Sequence, residues 1–341
     1  MAVAISSAID QASRPATVAL AGRQSSTRQP WIGGMAAAAW VGAALLTILW
    51  SNRPGTEWDC TGDLAAAFAV LGVVLALATF ADVWFACLPR IQLIAPWMLA
   101  LALLFGGWET VTAKLGILPM PFFPPPQALL EVVVDDRVRL LEGVLASLRL
   151  LAGGYFLGAV LGFAVGVAIG WSRAVGYWIH PVLRLVGPLP ATAWLPLAFF
   201  MFPSSHSAST FLIALATGFP VTVLTWSGVA SVSKAYYDIA RTLGANQSFL
   251  ILKVTIPAAM PHVFVGLFMG LGNSFAVLVI AEMLGVKAGL GWYLQWAQGW
   301  AAYANMYAAL LIMALIFSGL ITLLFRLRDR LLAWQKGLVR W

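Results

Sequence analysis

The sequence predicts an all-α chain that crosses a membrane several times, and three observations carry this. Of its 341 residues, 61% are hydrophobic and only 10% charged, whereas a soluble globular chain carries about 25% charged residues. Several stretches hold no strongly charged group over about eighteen residues or more, enough to cross a bilayer core as helices. Transmembrane strands would instead need alternating segments of about ten residues, and none is visible.

Taken in order, residues 1–30 are rich in Ser, Ala, Gln and Thr, with Arg14, Arg23 and Arg28 among them, which predicts a mobile tail. They do not read as a secretory signal, because the first sustained apolar run begins only after Pro30. Spans are predicted at 31–50, 64–88, 93–112, 148–171, 189–202, 209–230, 262–283 and 304–325. The first two, within 31–92, read as an N-terminal addition to a six-helix core at 93–341. Asp82 lies close enough to a span end for snorkelling or local pairing to satisfy it. Cys60 and Cys87 sit at opposite ends of one span, about 40 Å apart at helical rise, too far to pair within one subunit.

Residues 113–147 form an external segment whose run PMPFFPPPQALLEVVV predicts a stiff turn and then an amphipathic helix along the interface. In the next span Gly154, Gly158, Gly162, Gly166 and Gly170 recur every four residues on one helix face. In lipid, close backbone approach supplies the attraction between helices, so this face packs tightly, within the subunit or across a dimer. Pro188, Pro190 and Pro196 predict that the fifth span is kinked and begins further upstream. Residues 284–303 read as an external loop whose Trp292, Tyr293, Trp296 and Trp300 mark a headgroup belt.

The longest polar interlude of the C-terminal half is residues 234–262. Asp238 to Leu243 suits a helix, with an acid near its start where the helix dipole favours it. Gly244 supplies a turn that a residue with a Cβ would resist. Residues 245–256 give a second helical run with Phe249, Ile251, Leu252, Val254 and Ile256 on its apolar side, and Pro257 and Pro261 stop it and start the next helix. Two short helices joined at a glycine are thus expected to lie along the membrane. Fourteen of the 20 Lys and Arg residues fall on the side of this loop and both termini, which makes that side cytoplasmic. The net charge of +7 is therefore topological; it points to membrane lipid and not to nucleic acid.

The loop resembles that of ABC importer permease subunits of the nitrate/sulfonate/taurine type. Their pattern is E-A-A, three residues, Gly, nine residues, I-x-L-P. Here it reads Asp238-Ile239-Ala240, Gly244, then Val254-Thr255-Ile256-Pro257, with every interval kept. The chain departs at Asp for Glu, Ile for the first Ala, Val for Ile and Ile for Leu. The run PAAMPHVFVGLFMGLGNSFAVLVIAEMLGVKAGLGWYL extends the resemblance, which covers about residues 93–341. It implies a type I importer fold in a bacterial inner (cytoplasmic) membrane. It also implies that Asp238, Ile239, Ala240, Arg241, Gly244, Ala245 and Pro257 couple to a cytoplasmic ATPase subunit. An external substrate-binding protein and a second permease copy, as a homodimer, follow from the same likeness.

No catalytic constellation is visible. His180, His206 and His262 lie in separate loops without a Cys or carboxylate cluster at metal spacing. No lysine follows a glycine, so the phosphate-binding G-x-x-x-x-G-K is absent, and ATP with its Mg would be held by a partner ATPase. The intramembrane polar groups are few. Asn273 and Ser274 lie near Gly270 and Gly272, where they could offer hydrogen bonds to a solute or to another helix. Glu282 closes the same helix and reads as a gate or salt-bridge residue. The alternative reading is a secondary transporter or channel working alone, which would place ionisable groups at the bilayer midplane; the core has essentially none.

Overall fold

A computed structural model describes residues 30–53, 58–85 and 90–335. The predicted tail, the side chain of Asp82, and Cys87 lie outside the described residues. Twelve helices are named here: α1 (Pro30–Leu49), α2 (Thr61–Phe85), α3 (Arg90–Glu109), α4 (Pro126–Asp135), α5 (Arg137–Trp171) and α6 (Arg173–Val186); α7 (Leu195–Met201), α8 (Ser205–Ala230), α9 (Lys234–Thr242), α10 (Gln247–Leu284), α11 (Leu290–Gly299) and α12 (Tyr303–Leu331). Among the described residues seven helices are long and apolar enough to cross a membrane, and α6 with the α7 segment forms an eighth, broken candidate bent by 87°. The chain is an all-α polytopic membrane protein. It divides into two compact units, one up to Glu131 and one from Val132.

In the first unit α1 packs on α2 and α3. Their core is aromatic: Trp40, Phe68 and Phe105 meet with ring centroids 5.2–6.1 Å apart, within the range of favourable ring pairs. The third predicted span thus packs with the first two, whereas the sequence divides the chain at 92/93. α3 runs into a π turn (Thr110–Lys114) that buries a polar cluster. Lys114 Nζ lies 3.5 Å from Glu109 Oε1 and donates to Thr47 O, Trp50 O and Asn52 Oδ1. Glu109 also accepts from Thr47 Oγ1 at 2.7 Å and from Gln127 Nε2 at 2.6 Å. A buried ion pair survives only when its remaining polar atoms are satisfied in this way.

In the second unit the glycine stripe of α5 faces α8. A Cβ at Gly154, Gly162, Gly166 or Gly170 would lie 2.6 Å from Ile213, Gly218, Thr225 or Val229, and one at Gly158 would collide with the Ala214 carbonyl. The stripe packs within the subunit, a choice that periodicity left open. Residue numbers rise together along both helices, so α5 and α8 run parallel, and the segment between them must carry the chain back. That segment is α6, a 3₁₀ turn (Ala191–Trp194) and α7. The span predicted at 189–202, expected to be kinked and to begin further upstream, is this broken one, beginning at Arg173. Prolines at 188 and 190 bar a continuous helix across the break.

Three further boundaries differ from expectation. α5 begins eleven residues before the predicted 148: Arg137 to Ser147 holds no proline, and its Gly143 is buried in the helix. α11 is a helix, and its Tyr293 is buried, not part of a headgroup belt. Tyr293 Oη donates to Asp136 Oδ2 at 2.6 Å, and Asn305 Nδ2 donates to both. Burial, and then the bond to Asp136, push the Tyr293 hydroxyl above its usual range. Finally, Pro257 and Pro261 do not stop the second run of the loop. They lie in α10, which continues from Gln247 to Leu284. A π turn (Leu250–Thr255) precedes Pro257, and Ile256 N donates to Ile251 O. The wider π turn is a way to accommodate a ring that would clash with the carbonyl four residues earlier.

Candidate coupling surface and solute path

The joint at Gly244 follows from its backbone. α9 ends at Thr242, Gly244 takes φ +85°, Gly244 N donates to Arg241 O at 2.9 Å and Ala245 N to Ala240 O at 3.0 Å. These paired bonds are a Schellman cap, which requires a left-handed residue at this position. Asn246 then caps α10, its Oδ1 accepting from Phe249 N at 2.8 Å, a role the Asn-x-x-Phe spacing could have signalled. Because α9 starts at Lys234, Asp238 is in its second turn, beyond the reach of the dipole argument.

Tyr237 fixes α9 to the ends of two spans. Its ring meets Trp171 of α5 edge-on at 6.0 Å, and its hydroxyl lies 3.1 Å from Thr255 Oγ1, which donates to Leu250 O in the π turn. Sequence reasoning missed Tyr237, Trp171 and Thr255, whose roles depend on contacts between distant segments. The outer face of this joint is apolar and open: Tyr236, Ile239, Leu243, Phe249 and Leu252 are all exposed, Leu243 by 83%. Ile239, Ala240, Gly244, Ala245 and Pro257 line one groove of about 660 Å³, whereas Asp238 and Arg241 do not border it.

The three residues of α10 expected along the solute path, Asn273, Ser274 and Glu282, are separated. Asn273 borders a cavity of about 470 Å³ between α10, α8 and the break of the bent span, with Thr192 as the other polar side chain of its lining. Ser274 is fully buried and donates to Leu271 O at 3.0 Å. Glu282 is buried away from that cavity. Its Oε2 accepts from Gly291 N at 2.8 Å, and beside it Leu290 N donates to Ser147 Oγ at 2.9 Å. The carboxyl therefore accepts from one of the amides at the N-terminus of α11 that have no partner within the helix. Gly289, at φ +99°, has no room for a Cβ against that carboxyl. Gly270 packs against Thr217 of α8, whereas a Cβ at Gly272 would meet nothing within 4 Å.

A bundle of spans with a cavity at a broken helix and an open two-helix joint at one end is the architecture of a transport permease. The family model described as "Binding-protein-dependent transport system inner membrane component" matches residues 154–336, and the chain belongs to this family, the permease subunits of ABC importers. It is 31% identical over 241 residues to a protein of Brucella abortus named "Probable ABC transporter permease protein", covering 70% of this chain and 95% of the relative. The nitrate import permease protein NrtB of Synechococcus elongatus is 28% identical over 263 residues, 74% of this chain and 91% of the relative. The bicarbonate transport system permease protein CmpB of the same organism is 33% identical over 202 residues, 58% and 67% of the two chains. Among solved structures, a chain of the MetNI methionine ABC transporter in inward-facing form shares the fold, with a TM-score of 0.50 at 14% identity, covering 58% of this chain and 98% of that one.

Proposed function

We propose that this permease carries a small oxyanion of the nitrate, bicarbonate or sulfonate kind, and that ATP hydrolysed by a separate cytoplasmic subunit drives it. The observation that carries the coupling is the open apolar groove at the Gly244 joint, tied through Tyr237 to the ends of α5 and α10. α10 borders the groove at Pro257 and the cavity at Asn273, about 24 Å apart at helical rise. Closure of ATPase subunits on α9 would then be transmitted along one helix to the cavity wall. The ATP and Mg²⁺ belong to that partner; this chain supplies path and linkage.

The substrate class rests on the nitrate and bicarbonate relatives. The cavity's lining offers Thr192 and Asn273 as its polar side chains and no charged one, which suits weak hydrogen bonding during passage and leaves anion selection to an external binding protein. Two copies of the chain would enclose the path in an inner membrane, with both termini and α9 on the cytoplasmic side as the Lys and Arg count favours. The test is purification of the tagged chain from native membranes, with identification of retained proteins and an ATPase assay. A retained P-loop ATPase whose coupling to transport is lost in Gly244→Trp supports the reading. An isolated chain that takes up solute on an ion gradient overturns it in favour of a secondary transporter.

A further inference from the structure

α12 ends beside the groove. Leu332 N donates to Arg328 O at 2.8 Å and Leu332 is buried, which pins the 3₁₀ turn Ala333–Gln335 that follows. The next residue but one, Trp334, is 62% exposed, and its side chain borders the same groove as Ile239, Leu243, Phe249 and Pro257. The family pattern in the loop does not include it. A large exposed ring continuous with an apolar groove marks an interaction surface. On the α9 side the exposed charges are Lys234, Arg241 and Lys253 against Asp238, an excess of cations that an acidic partner face would complement.

We propose that Trp334 forms the second wall of the ATPase dock, so that an apolar ridge of the cytoplasmic subunit is gripped between α9 and the C-terminal turn, with an acidic flank of that subunit facing Lys234, Arg241 and Lys253. This rests on the coupling reading above. A buried indole at such a contact is a common site of concentrated binding energy.

The test compares four tagged variants expressed with the ATPase subunit, three at Trp334 and the coupling variant Gly244→Trp. Trp334→Ala should reach the membrane in wild-type amount yet retain roughly tenfold less ATPase, while Trp334→Phe should keep most of it. In Trp334→p-benzoylphenylalanine, which preserves aromatic bulk, irradiation should join the chain to the ATPase. If Trp334→Ala retains the ATPase fully and no photo-adduct forms, while Gly244→Trp is uncoupled, Trp334 is no part of the dock and the coupling reading stands. If Gly244→Trp is also fully coupled, the reading and this inference fall together.

Discussion

Gly244 has open space where a Cβ would be, so its constraint is the left-handed backbone alone and not crowding. A residue with a Cβ costs about 1–2 kcal/mol there, and Asn costs least. Gly244→Asn should therefore keep most transport-coupled ATP hydrolysis, while the β-branched Gly244→Val should lose most of it; equal activity in the two would refute the cap. Glu282 makes the opposite case. Glu282→Leu leaves Gly291 N–H without its acceptor and should lower stability by about 1–3 kcal/mol, read as a lower Tm in detergent, whereas a gating residue would change uptake at unchanged Tm. Gly244 was legible in the sequence because its role is written in residue type and spacing. Glu282 was not, because its partner amide depends on where α11 starts.

At the scale of elements, helices and their apolar lengths were legible, since bilayer thickness constrains them. Their ends were not. The π turn before Pro257, the break between α6 and α7, and the early start of α5 are decided by packing between segments far apart in sequence. The glycine stripe announced a close contact, but α8 as its partner emerged only from the fold. Gly158→Leu should force α5 and α8 apart, costing about 1–3 kcal/mol or more, visible as a lower yield of folded protein after extraction; an unchanged Tm would mean the helices do not meet at Gly158. In the first unit, Lys114→Met leaves the Glu109 carboxylate buried without its cation and should cost about 3–5 kcal/mol. The double variant Lys114→Met/Glu109→Gln should recover part of that loss in the same melting experiment; no recovery would show that the two charges do not compensate each other.

For the whole molecule, one helix, α10, joins the exposed joint at Pro257 to the cavity at Asn273. The class was legible because the loop motif keeps its intervals, and the substrate was not, because the cavity carries so few polar groups. The most direct measurement is solute uptake into proteoliposomes holding this chain with its co-purified ATPase and binding protein, using nitrate, bicarbonate and taurine as probes. Uptake of one of these that requires ATP on the ATPase side, and that fails in Gly244→Val, is the predicted result. Uptake by this chain alone, driven by an ion gradient and indifferent to ATP, would contradict it.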